Sequence, residues 1–130
     1  MPAPDRIAAY LVIADEERTA ARSLLLSHPR QAAYLCQQAA EKAARALLEH
    51  AKVPFGTSHN LGQMADALPP DHPLRSQVMA LDVLSPAATR YRYPSPTGRL
   101  GAPPDPAELT RLLERVDDLI DTVRSHCAGA

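Results

Sequence analysis

The 13 prolines of this sequence fall mostly between its apolar-periodic segments, not inside them. Proline fixes φ and removes an amide donor. It is tolerated in the first turn of a helix and stops one already under way. The segments it separates are rich in alanine and leucine and poor in β-branched residues, a composition that favours helix over strand. There is no β-hairpin signal and no internal repeat. The expected fold is therefore all-α, an up-and-down bundle of four or five helices. At 130 residues the chain suits a single domain over 1–130. It buries roughly two-thirds of its unfolded surface without a disulfide or metal.

Charge narrows the function. Fourteen Lys and Arg face 15 Asp and Glu, a formal net charge of −1. A strongly basic, phosphate-seeking protein would show a large positive excess, so any nucleotide contact must come from a local patch. No apolar run approaches the ~20 residues of a membrane span, and MPAPDRIAAY lacks the features of a secretory signal. Cys36 and Cys127 make neither a disulfide framework nor a zinc site. The expected compartment is the cytoplasm.

The spacing predicts a first helix over Asp5–Ser27, with Ile7, Leu11, Ala14, Ala21, Leu24 and Leu25 inward. Pro29 reads as a first-turn proline of a second helix, Arg30–Ala51. The stripe of that helix is Ala32, Leu35, Ala39, Ala43, Ala46 and Leu47, small enough for close helix approach. The two helices should pack antiparallel as a hairpin. A short third helix is expected over His59–Ala67, capped by Thr57 or Ser58. A fourth is expected over Pro73–Val83, with Leu74, Val78, Leu81 and Leu84 inward. The segment Leu84–Pro106 is the least regular, and loops of that length are usually functional or disordered. A last helix starts from Asp105, Pro106 and Glu108, read as a capping box.

Three constellations are candidates for chemistry. Arg90-Tyr91-Arg92-Tyr93-Pro94 lies in a loop whose one acid is Asp105, at its far end. Guanidinium groups bind phosphate bidentately and tyrosine rings stack on bases. The competing reading pairs Arg92 with a helix acid and uses the tyrosines to plug the bundle. The second is the helix-two row Gln37, Gln38, Glu41, Lys42 and Arg45. It is either a solvated face with an ordinary Glu41–Arg45 pair or a polar wall facing the arginine loop. The third, His59 before Asn60 and Leu61, either caps its helix or touches a bound phosphate. His28, His50, His72 and His126 show no metal-ligand spacing, the glycines form no phosphate loop, and no nucleophile elbow is present.

The segment QAAEKAARALL (residues 38–48), Ser58-His59-Asn60-Leu61 and Arg92-Tyr93-Pro94, in that order, resemble the HEPN family of small helical domains. The resemblance runs from the first helix to the last. It implies a four- or five-helix bundle, usually dimeric, and nucleotide binding. Many members are encoded beside a small nucleotidyltransferase, often as a toxin–antitoxin module. Other members are metal-independent ribonucleases, with an Arg, four to six residues and a His near the start of the late helix. Here Arg22/His28 and Arg45/His50 have the spacing but lie on the first two helices, and after Arg92 the next histidine is His126. Ribonuclease chemistry is therefore expected to be absent.

The resulting expectation is a non-catalytic HEPN-like module without a cofactor, metal or membrane contact. It would bind a nucleotide such as ATP or GTP, or a nucleotide-bearing substrate, with RNA as a further candidate. Arg92 and Arg90 would hold phosphate, and Tyr93 would stack or shape the pocket. Gln38, Glu41 and Lys42 would line the facing wall, with His59 at the helix terminus. It would act as a homodimer with a nucleotidyltransferase. The rival readings are a ribonuclease toxin using Arg45/His50 and a purely structural dimerisation domain.

Overall fold

The computed structural model describes residues 3–129, and every described element is helical. The order is α1 (Ala3–Leu24), α2 (Pro29–His50), α3 (Leu61–Ala67), α4 (Arg75–Ala80), a 3-10 turn (Asp82–Leu84), α5 (Ala87–Arg90) and α6 (Pro106–Ala128). The expected all-α bundle and its five helices are present. The additional element, α5, lies inside the segment expected to be irregular.

Helix α2 is the centre. It packs against α1, α3, α5 and α6, and its buried residues extend around most of its circumference, from Ala32 to Leu48. Ala14 and Ala21 of α1 and Ala39, Ala43 and Ala46 of α2 are fully buried. Side chains this small bring helix axes close. The ion pairs Arg6–Glu49 and Lys42–Glu17 run in opposite chain directions, which makes α1 and α2 the expected antiparallel hairpin. Arg18 and Arg22 of α1 reach Asp117 of α6 and tie the third long helix to the first.

The ends differ from expectation for local reasons. Helix α1 stops at Leu24, not Ser27, and the next segment closes with the His28 amide on the Leu24 carbonyl at 2.8 Å. His28 precedes Pro29 and leaves the helical region, at φ −139° and ψ 70°, since the proline ring disfavours a helical neighbour before it. Pro29 then starts α2 at the expected first-turn position. The N-cap of α3 is Asn60, whose side chain accepts from the Gln63 amide at 2.8 Å. It is neither Thr57 nor Ser58: the Ser58 hydroxyl instead accepts from the Asn60 amide and donates to Gln63 Oε1. Helix α4 is only Arg75–Ala80, yet Leu74, Val78, Leu81 and Leu84 are all buried as the spacing predicted. Asp105 caps α6 through the Ala107 amide, so the expected capping box with Glu108 is replaced by a bond one residue earlier.

At one end of the bundle three imidazoles meet that sequence spacing did not connect. His126 lies 5.1 Å from His50 and 5.0 Å from His72, centroid to centroid. His72 Nδ1 accepts from the Leu74 amide at 3.1 Å, so protonating it there removes an acceptor. Burial, then the neighbouring His126 and His50, hold His72 below the usual imidazole value, against the opposing pull of Asp71. The folded state therefore binds its proton less readily than the unfolded chain. Stability is complete above the unfolded value near 6.5 and falls as pH drops through it. Thermal unfolding between pH 7.5 and 5.5 is expected to show this loss, and His126→Asn should make it shallower. An unchanged slope in that variant would remove the cluster as its cause. Among the described residues, no group of three or more His, Cys, Asp or Glu is placed to hold a metal ion.

Candidate functional site

The arginine-tyrosine segment is built on α5. The amides of Arg92 and Tyr93 both donate to the Thr89 carbonyl, at 3.1 Å. Beyond it the chain reverses through Ser95–Arg99. There the Ser95 amide meets the Arg99 carbonyl at 2.8 Å, and Gly98 adopts the left-handed region at φ +80°. The far side of the loop returns to α2, where Arg30 Nε donates to the Gly101 carbonyl at 2.8 Å. A Cβ on Gly101 would stand 2.8 Å from Arg90 Cγ and 3.2 Å from the Arg90 carbonyl oxygen. That close approach accounts for a glycine there.

The Arg92 guanidinium carbon lies 5.2 Å from the centroid of the Tyr34 ring and 5.2 Å from that of Tyr93. This is cation–π geometry with two rings. Among the described residues, Arg90, Arg92 and Arg99 make no ion pair with a carboxylate. Where the competing reading set a helix acid against Arg92, the structure has an aromatic ring, Tyr34. Tyr91 is half-buried against the core, whereas Tyr93 is 58% exposed. Thr89, Arg90, Tyr93, Pro94, Arg99 and Leu100 contribute to a cleft of about 600 Å³.

The helix-two row is not a solvated face. Glu41 is 3% exposed, Gln37 is fully buried and Gln38 is 8% exposed. The Glu41 carboxylate takes His59 Nδ1 at 2.7 Å and Gln37 Nε2 at 3.3 Å on Oε1. Its Oε2 takes Arg45 Nε at 3.0 Å. Burial pushes this carboxyl upward, but hydrogen bonds from His59, Arg45 and Gln37 outweigh it and hold Glu41 below the ordinary carboxylate value. An ionised carboxylate only accepts, so His59 Nδ1 carries the proton in this pair.

The same side chains pin the loop that carries His59. Arg45 donates to the carbonyls of Gly56 and Ser58, at 3.0 and 2.9 Å, and Gln37 Nε2 donates to the His59 carbonyl at 3.0 Å. Lys42 is turned to Gln38 and to Glu17, at 3.0 and 3.2 Å. Gln38, Glu41 and Lys42 therefore form a network inside the bundle, in which their polar atoms bind one another and not an open cleft. Only the His59 side chain, 53% exposed, leads outward. It borders a cleft of about 400 Å³ with Ser58, Asn60, Asp82, Ser85 and Thr89. Thr89 lines both clefts, so they adjoin.

Spacing alone missed Tyr34. It lies one turn before Gln38, where its ring extends the row towards Arg92; an isolated helical tyrosine gives no such signal. The two ribonuclease-spaced pairs do not assemble. Arg45 bonds to Glu41, Gly56 and Ser58 and lies over the Phe55 ring, while His50 packs with His126. Arg22 binds Asp117, and His28 meets Ser27. No described helix is long and apolar enough to cross a membrane.

The family model of the HEPN domain matches residues 7–126. Among solved structures, the chain is similar to an archaeal HEPN homologue at 20% identity, covering 98% of this chain and 99% of that one, with a TM-score of 0.70. None of the curated proteins matches.

Proposed function

The chain belongs to the HEPN family, and we propose that within it the protein is a single-domain nucleotide-binding module. In this reading Arg92 and Arg90 bind the phosphates and Tyr93 stacks on the base. His59, set by Glu41, completes the site at the adjoining cleft, while Gln38 and Lys42 hold the supporting network. The module works as a homodimer in the cytoplasm, as the non-catalytic partner of a nucleotidyltransferase in a toxin–antitoxin-like pair.

One observation carries this reading. The Arg92 guanidinium lies against two tyrosine rings, with no carboxylate partner among the described residues. Of the 14 Lys and Arg, seven are paired with acids, whereas Arg90 and Arg99 of the same loop share with Arg92 the lack of a carboxylate partner among the described residues. A guanidinium without an acid beside it, oriented by π faces, is suited to a planar or bidentate anion such as phosphate. Calorimetric titration of ATP is expected to give saturable binding that weakens about 10- to 100-fold in Arg92→Ala, the scale of a lost charge-assisted pair. Equal affinity in the two proteins would remove the loop from the site.

A further inference from the structure

The two adjoining clefts differ in charge. The larger contains Arg90 and Arg99 beside Tyr93. The smaller contains no Lys or Arg, and it includes the carboxylate of Asp82. A phosphate belongs in the first and is repelled from the second.

The smaller cleft offers two ring or carboxylate acceptors beside the amide of Asn60 and the hydroxyls of Ser58, Ser85 and Thr89. Because Glu41 takes the Nδ1 proton of His59, the neutral imidazole has its unprotonated Nε2 as the remaining ring nitrogen. Asp82 Oδ1 is used by the Gly62 amide at 2.9 Å and the Ser85 hydroxyl at 2.8 Å. Its Oδ2 makes no hydrogen bond among the described residues. The carboxylate lies flat on Gly62, where a Cβ would come within 3.0 Å of both its oxygens. Ser58 and Thr89 add hydroxyls at the rim. Acceptors and neutral donors of this kind, with no Lys or Arg among them, suit a ligand that offers hydroxyls, which both donate and accept.

The support behind His59 is large for one half-exposed side chain. A buried carboxylate fixes its ring, and buried Gln37 and partly buried Arg45 fix its backbone through three carbonyl contacts. A side chain held by packing and hydrogen bonds keeps its acceptor in place and loses little entropy when a donor arrives.

We infer that the cleft formed by His59, Asp82 and Thr89 takes the sugar hydroxyls of a nucleotide whose phosphates lie at the arginine loop, so that the site selects a ribose over a sugar that lacks both hydroxyls. His59 Nε2 and Asp82 Oδ2 are the accepting atoms, and Glu41 is a positioning residue acting through His59. This inference rests on the nucleotide reading above and assigns it a specificity.

The test compares ADP with 2′,3′-dideoxy-ADP by calorimetric titration at pH 7.5. Wild-type protein should prefer ADP about tenfold or more, since a site built to accept a hydroxyl loses those bonds with the deoxy analogue. His59→Ala should reduce the preference for ADP over the dideoxy analogue to about twofold or less. Arg99→Ala, in the larger cleft, should weaken both ligands alike. Circular dichroism checks that the variants fold, and the wild-type comparison needs no variant at all. Equal wild-type affinities for the two ligands, with Arg99→Ala still weakening both, would overturn the inference and leave the nucleotide reading standing. Absence of ADP binding to wild type would overturn both.

Discussion

Glu41→Ala should destabilise the fold by about 3–5 kcal/mol, the range seen when one partner of a buried charged network is removed. The reason is what remains. Arg45, whose side chain is only 16% exposed, loses its counter-charge and keeps only two backbone carbonyls. Gln37 and Gln38 lose an acceptor inside the bundle, and the His59 ring loses its anchor. An unpartnered buried donor costs about 1–3 kcal/mol. In a domain whose whole stability is about 5–15 kcal/mol, urea unfolding would reveal the change directly. Glu41→Gln, which keeps the shape and one acceptor oxygen, should fall between the two. If Glu41→Ala unfolds at the wild-type midpoint, the network is not what holds α2 to the His59 loop.

The pH dependence of this network has its own sign. Glu41 is held below its ordinary value when folded, so its contribution is present above the unfolded carboxylate value near 4.5. It is lost as pH falls through the folded one. That window lies below the window assigned to the histidine cluster, so an acid titration of stability should show two separate declines.

Leu47→Ala should cost about 2–5 kcal/mol. Leu47 is fully buried in the one helix that touches α1, α3, α5 and α6. Neighbours held on several sides cannot collapse into the space, so the variant bears the cavity term as well as the lost transfer energy. The opposite change, Ala43→Leu, should cost about 1–3 kcal/mol by overpacking, because alanine there is fully buried where helices approach closely. Denaturant midpoints of the two variants test both. A Leu47→Ala protein as stable as wild type would mean that α2 is not the packing centre.

Much of the fold was legible because its determinants are local. Pro29 and Asp105-Pro106 mark the starts of α2 and α6 through backbone restrictions that operate within two residues. The inward positions of the fourth helix emerged correctly even though its length did not, since Leu74, Val78, Leu81 and Leu84 are set by period and not by boundaries. What escaped is non-local. Helix α5 is four residues long and too short to show a period. Ser58 and Asn60 are both good caps, and the long-range hold of Gln37 and Arg45 on this loop accompanies the choice of Asn60. Spacing placed Gln38, Glu41, Lys42 and Arg45 on one side of α2 but gave no sign that the side is covered. Glu17 of α1 and the His59 loop cover it, 25 and 18 residues away from their partners. The three imidazoles at the end of the bundle come from three separate segments, a meeting no motif encodes.

The Arg92-Tyr93-Pro94 motif has a physical counterpart in the guanidinium set between Tyr34 and Tyr93. The measurement that tests this most directly is a calorimetric titration of ATP into wild type, Arg92→Ala and Arg92→Lys. Lysine keeps the charge but loses both the planar fork and its fit to the two rings. Saturable binding to wild type that falls about tenfold or more in both variants is the predicted result. Full affinity in either variant, or no heat with wild type, would contradict a nucleotide site built on that arginine.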